Sequence, residues 1–454
     1  MSQLNRRQFL DRTQKAAAGV AAGVTILKNS QSVSGAPAAD KVVLASVGVR
    51  GRGAMLAQGF IERGDCEIAY VCDVDSALFA SRAKQITEQQ GREPQCVQDF
   101  RKALDDKNVD AIISATPDHW HALSSVWACQ AGKDVYVEKP ATHSAWEGRK
   151  MVEAARKYNR IVEIGTQCRS GAYCKAARKY IEDGKLGQIH MCRVYNQKIW
   201  ANQPKKPDSD PPAGLDWDRW VGPAPEHPYN VNHHSYWNHI WNYSGGDIAN
   251  DASHQIDLAR WVVGVKYPTT AYSVGGRFNS EGAAETPDTQ VAVWEFPGML
   301  MTFELTLYTP YMLKSDMAMR DLDIFPYWPQ NGTRIEIYGS EALMVLGRHG
   351  DGWQVFDRQK NRQPVVKDEM HGPFPDKEHK EDFIQAVRTR RRPAADVEEG
   401  HLSALLIHTA NISYRLGGQK LRIDAQSEQI IDNAEAMKLY RREYRAPYVI
   451  PDEV

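Results

Sequence analysis

A short apolar run, Val42-Val43-Leu44-Ala45-Ser46-Val47, passes directly into Gly48-Val49-Arg50-Gly51-Arg52-Gly53 and leaves few folds open to the chain. Its unbroken, β-branched apolarity predicts a strand buried on both faces, as in a parallel sheet. A helical pattern over Ala54 to Arg63 follows, then a second strand-like run, Glu67 to Cys72, closed by Asp73, 25 positions after Gly48. This order builds a dinucleotide site: glycine permits the tight turn, a helix N-terminus faces the pyrophosphate, and an acid accepts the ribose hydroxyls. Gly48 and Gly53 take the first and third glycine places, and Arg50 stands at the second. There the backbone usually approaches the pyrophosphate without a Cβ, so Gly51 is expected to absorb strain and the Arg50 guanidinium to pair with phosphate. Gly48, Val49, Arg50, Gly51, Arg52, Gly53 and Asp73 are therefore the first cofactor candidates; the bland alternative is a plain glycine turn.

The alternation of strand and helix continues. Asp110 to Ala115 ends in Thr116-Pro117-Asp118-His119-Trp120-His121, a helix-like Ala122 to Ala131 follows, and Asp134 to Val137 ends in Glu138-Lys139-Pro140. A helix through Tyr158 and a strand from Ile161 to Gly165 complete the pattern. Polar residues gather at the carboxyl ends of successive strands, where open α/β sheets bind ligands. After residue 165 β-rich runs take over: His190 to Gln197, Thr269 to Arg277, Gln290 to Phe296, Leu300 to Tyr308, Arg334 to Tyr338 and Trp353 to Phe356. Helical patterns over Lys377 to Arg391 and Leu402 to Leu416 follow. The expected fold is α/β, with a Rossmann domain over 39–166 and a second, substrate and oligomerisation domain over 167–454.

Residues 1–38 read as an export signal. Asn5-Arg6-Arg7-Gln8-Phe9-Leu10, the small apolar run Ala16 to Leu27 and Ala36-Pro37-Ala38 give a cationic end, an apolar middle and a small-residue cleavage site. The paired arginines resemble a twin-arginine signal, which implies a periplasmic or secreted protein; the alternative is an amphipathic first helix. The middle is too short and Gly/Ala-rich for a membrane anchor. The 454-residue chain carries 56 Lys and Arg against 57 Asp and Glu; without residues 1–38 the balance is 51 against 56, a charge of −5. Such a field does not displace counterions, which argues against a nucleic-acid binder. Seven cysteines without a C-x-x-C pair read as core residues, the alternative being a disulfide between Cys168 and Cys174.

The glycine turn, Asp73, the Thr116 to His121 segment and Glu138-Lys139-Pro140, in this order and spacing, resemble the glucose-fructose oxidoreductase, inositol dehydrogenase and rhizopine-catabolism (Gfo/Idh/MocA) family. Gly245-Gly246-Asp247-Ile248-Ala249-Asn250-Asp251-Ala252-Ser253-His254 is similar to the family's glycine, acid, histidine helix. The resemblance implies a second domain with a large, mostly antiparallel open sheet, which covers the cofactor cleft and supplies contacts of a dimer or tetramer. It implies NAD, with NADP possible, and a carbohydrate or polyol substrate. Thr116, Pro117, His121, Glu138 and Lys139 join the cofactor contacts. Lys139 and His254 become the catalytic pair, and His119, His121, Lys139, Tyr236, Trp237, Asp247, Asn250 and His254 the substrate contacts. A hydroxyl proton needs a base, and the developing alkoxide needs a donor.

Asn250 departs from the family, which commonly has an acid four residues before the histidine. An amide cannot act as a base, so Asp251, Asp247 or Asp257 takes that role, with Asp251 first, or the net reaction differs. His119 and His121, with His233, His234, His239 and His254, raise a metal site as a rival, but no complete ligand spacing supports it. Trp200 to Tyr243 is rich in proline and aromatics, suited to the faces of sugar rings. An exported enzyme has no free nicotinamide pool. That leaves hydride transfer with a tightly held cofactor, or redox-neutral glycoside cleavage or epimerisation through a transient keto-sugar. A carbohydrate-binding protein that has lost catalysis is the third reading. Asp73 favours NAD because a carboxylate repels a 2′-phosphate.

Overall fold

The computed structural model describes residues 41–454 apart from 201, 280, 315–321, 323 and 361–362; the expected signal over 1–38 lies outside the described residues. Six strands form the first sheet: β1 (Val42–Val47), β2 (Cys66–Cys72), β3 (Gln95–Val97), β4 (Ala111–Ser114), β5 (Asp134–Val137) and β6 (Val162–Ile164). All their pairings are parallel, and the order is β3-β2-β1-β4-β5-β6, the doubly wound order with its switch point between β1 and β4. The apolar runs of β1, β4 and β5 are buried because helices cover both faces of the sheet. Ser144 and Glu147 form a reciprocal capping box that starts the helix Ala145–Lys157 just after the Glu138-Lys139-Pro140 turn.

The second sheet is built from β7 (Ile189–Gln197), β8 (Thr270–Gly276), β9 (Thr289–Phe296), β10 (Met299–Thr306), β11 (Arg334–Gly339), β12 (Leu343–Gly347), β13 (Trp353–Lys360), β14 (Gln363–Met370), β15 (Leu421–Ile423) and β16 (Ile430–Ile431). Its order is β14-β13-β12-β11-β7-β10-β9-β8-β15-β16, antiparallel except where β7 lies parallel to β10. Alternate residues of β9 and β10, among them Trp294, Met301 and Phe303, face a core formed with helices Ala172–Glu182, Ser253–Val263 and Val397–Arg415. The opposite face leaves Tyr272, Val274, Val291 and Leu300 exposed.

Residues 39–166 and 167–454 are not separate in space. Phe383 of helix Asp376–Thr389 packs edge-on against Phe60 and Tyr136 of the first sheet's core, and Tyr448, Ile450 and Val454 join that sheet's other core. All seven cysteines are free thiols; Cys168 Sγ donates to the Arg348 carbonyl at 3.1 Å.

Candidate active site

The glycine turn after β1 shows which glycines geometry demands. Gly48 has φ +77°, and a Cβ there would lie 2.8 Å from the Ala115 carbonyl oxygen; at Gly53 a Cβ would lie 1.8 Å from the Gly48 carbonyl oxygen. Both are backbone collisions that nothing can relieve. Gly51 has open space instead, and Arg50 takes an ordinary extended conformation (φ −72°, ψ −164°), so the strain expected at that place is absent. The Arg50 guanidinium, half-exposed at the cleft, pairs with Asp75 at 2.6 Å. Helix Gly51–Ile61 starts with no side-chain cap and no acid in its first turn, leaving its leading amides for an anion.

Asp73 lies at the end of β2, its oxygens accepting the amides of Val49 (2.8 Å) and Asp75 (3.0 Å). Burial raises its pKa despite those two amides. Gly48, Arg50, Arg52, Gly53, Asp73, Thr116 and Pro117 line one cleft. The uncapped helix mouth and the buried acid after β2 fit a dinucleotide. The far wall was not legible locally: Phe100, Trp120, Trp127, Trp220 and Tyr448 come from separate segments and enclose the region beyond Asp73. Trp237 also lines this cleft, whereas its neighbour Tyr236 turns into a smaller pocket of about 220 Å³ with Trp200 and His239.

At the end of β5, Glu138 accepts from Arg52 Nε at 2.7 Å, tying this turn to the glycine turn. The next residue, Lys139, sends its Nζ to Asn250, 2.5 Å from the carbonyl oxygen and 3.2 Å from Oδ1. Burial lowers the Lys139 pKa, opposed by Glu138, Asp118 and Asp251. The His254 imidazole has no hydrogen-bond partner among the described residues. Burial, then the charges of Arg348 and Lys139, push it well below the usual histidine value, so it is neutral near pH 7. An ammonium donor and a neutral imidazole acceptor thus lie close enough for one charge to act on the other, although Lys139, His254, Glu138 and Asn250 are not part of the cleft lining.

The acids expected to replace the family base are engaged elsewhere. Asp251 is held by Arg348 (2.6 Å), Lys314 (3.0 Å) and Lys198 (3.1 Å). Burial alone would raise it, but these three cations outweigh that and hold it well below the carboxylate range. A carboxylate so firmly ionised is a weak proton acceptor. Asp247 is buried against Lys198 (3.0 Å) and the Asn196 amide. Asp257 lies in the core on Arg169 and Ser403.

His119 and His121 are corrected too. They lie in the helix Asp118–Gln130, where a two-residue step turns the rings apart. His119 is fully buried, with Nε2 at 3.0 Å from the Trp220 carbonyl and its ring against Trp220 and Tyr243. His121 meets the carbonyls of Pro140 (2.7 Å) and Thr116 (2.9 Å), bolting the turns after β4 and β5 together. Asp118, not singled out from the sequence, is buried beside Lys139 with Ser244 Oγ donating to it at 2.5 Å; burial raises its pKa. Among the described residues no group of three or more His, Cys, Asp or Glu gathers as for a metal, and no helix is long and apolar enough to cross a membrane.

Residues 41–166 match the model for the oxidoreductase family with an NAD-binding Rossmann fold (GFO_IDH_MocA). Residues 174–345 match the GFO/IDH/MocA C-terminal domain, and 327–450 the C-terminal alpha/beta domain of the oxidoreductase family. Levoglucosan dehydrogenase of Pseudarthrobacter phenanthrenivorans is 28% identical over 166 residues, which cover 37% of this chain and only 36% of that protein. Myo-inositol 2-dehydrogenase of Thermotoga maritima is 23% identical over 361 residues, 75% of this chain and 89% of that one. The solved levoglucosan dehydrogenase with NADH and levoglucosan shares the fold, with a TM-score of 0.62 at 20% identity, covering 84% of this chain and 98% of that one.

Proposed function

Because the chain belongs to the Gfo/Idh/MocA family of oxidoreductases, we propose that it is an NAD-dependent enzyme oxidising a CH–OH group of a sugar, polyol or glycoside. The observation that carries this reading is the proximity of Lys139 to a neutral His254, on a turn that Glu138 ties through Arg52 to the Gly48 to Gly53 turn. The nicotinamide, when bound, supplies the hydride acceptor. Lys139 Nζ donates to the reacting hydroxyl oxygen and stabilises negative charge as the proton leaves; His254 accepts that proton. Asn250 orients the Lys139 ammonium through two oxygens. Asp73, near the expected ribose, selects NAD over NADP by repelling a 2′-phosphate.

The test is NADH formation with levoglucosan, myo-inositol and simple glycosides. Lys139→Met is expected to lower kcat by about 10²–10⁴-fold while leaving the NAD dissociation constant nearly unchanged. Equal turnover by the variant, or no turnover of any compound by the parent, contradicts the reading.

Asn250 supports a second reading: with an amide rather than a carboxylate bonded to the Lys139 ammonium, the oxidation is transient. A ketone acidifies the neighbouring C–H and a base removes that proton; either the proton returns on the opposite face and the centre inverts, or the substituent leaves as its alcohol and water adds to the resulting enone, after which the hydride returns to the ketone carbon. Product release without NADH accumulation distinguishes this course, and tight sugar binding without any redox change would indicate a binding protein. We also propose export with loss of residues 1–38, tested by sequencing the N-terminus of protein from the periplasm. Self-association through the exposed face around Tyr272, Val291 and Leu300 is tested by the mass in solution of Val291→Glu.

A further inference from the structure

The wall of the nucleotide cleft beyond Asp73 is held in place by residues far along the chain. Residues 216–222, which include the helix Trp217–Val221, bring Trp220 and Arg219 to the cleft, and Tyr448 arrives from the segment 441–454. Gly222 explains why this turn lies so close. It has φ +50°, and a Cβ there would be 2.2 Å from the Trp120 indole, itself part of the wall.

Arg445 binds this turn at three acceptors. Its Nη1 reaches Asp218 Oδ1 at 2.5 Å, Nη2 the Asp218 carbonyl at 2.7 Å, and Nε the Gly222 carbonyl at 3.0 Å. The Tyr448 hydroxyl adds a bond to Asp218 Oδ2 at 3.3 Å, while its ring lies edge-on to Trp120, centroids 5.4 Å apart. The segment is riveted to the first sheet's helices on either side of Arg445. Arg442 donates to Glu147 at 2.7 Å and to the His119 carbonyl at 2.5 Å, and Lys157 donates to the Val454 carbonyl at 2.6 Å.

We infer that residues 441–454 form a strap that keeps the dinucleotide in place, with the Arg445 to Asp218 contact as its latch. The inference rests on the proposed dinucleotide reading of the cleft and adds a consequence: the cofactor leaves slowly, because the turn carrying Trp220 cannot swing away while Arg445 holds it. Arg445 and Asp218 act on retention through the wall and are not catalytic. A guanidinium spread over a carboxylate and two carbonyls resists opening more than a single surface ion pair.

The test loads the full chain with NADH, mixes it with a large excess of NAD, and follows the loss of NADH fluorescence excited through the wall tryptophans. Arg445→Ala is expected to release NADH about tenfold faster, the effect of losing one multiply bonded contact. Asp218→Asn, which keeps volume while removing the charge and one acceptor oxygen, is expected to accelerate release in the same direction and covers the case in which Arg445→Ala does not fold. The double variant is expected to be no faster than the faster single, since both act on one contact. Release from both single variants within twofold of the parent, or fully multiplicative effects in the double, overturns the strap. Failure of the parent to bind NADH in a fixed ratio would instead strike the dinucleotide reading itself.

Discussion

Asn250 offers Lys139 two oxygens and no charge, so the ammonium is held in position while burial still lowers its pKa. Asn250→Asp puts a carboxylate where the amide oxygen stands, 3.2 Å from Nζ. An adjacent opposite charge raises an ammonium pKa by about one unit or more. The alkaline limb of the pH–rate profile, where it reports loss of the Lys139 proton, is expected to move up by about that amount; an unmoved limb would show that Lys139 does not control it. Lys139 and Asn250 were legible because spacing within short motifs identifies them. The state of Asp251 was not, because it depends on Lys198, Lys314 and Arg348, none of them a sequence neighbour. The misplacement of His119 has a local cause: the helical pattern is apparent only from Ala122, whereas the helix already begins at Asp118.

The strands buried on both faces were readable from unbroken apolar runs, and the alternating ones of the second sheet from a period of two. β14 was missed because it is mostly exposed and polar, β3, β15 and β16 because two or three residues carry no period, and β12, short and apolar, was missed because five such residues fit a helix segment equally well. The glycine turn yields a prediction of opposite signs. Gly53→Ala forces a methyl into the Gly48 carbonyl and is expected to cost about 2 kcal/mol or more, with loss of NADH binding. Gly51→Ala meets open space and is expected to be neutral or to stabilise by a few tenths of a kcal/mol, about what reduced freedom of the unfolded chain supplies. Thermal melts of the two variants check both; equal losses would show that the turn is not built on Gly53.

The whole molecule holds several histidines neutral in its interior. Burial takes His119 and His408 to about 3, and His239 and His379 to about 4. Their folded values lie below the unfolded value of about 6.5, so below that pH the unfolded chain binds more protons and stability falls. Each contributes at most about 1.4 kcal/mol per pH unit. Asp118 and Glu163, raised by burial, work in the opposite direction, losing stability as pH rises. The melting temperature is expected to be nearly level above pH 7 and to drop steeply from pH 6 to 5; a level midpoint through pH 5 would contradict this. At this scale local patterns do not show that helix Asp376–Thr389 and residues 441–454 pack against the first sheet.

The distance along the chain between the glycine turn and Arg445 bears on biosynthesis. A nascent polypeptide that has emerged as far as β6 holds the glycine turn but neither Arg445 nor the Phe383, Tyr448, Ile450 and Val454 that complete the first sheet's cores. On the strap proposed above, lasting capture of the coenzyme is expected only once translation has passed Tyr448.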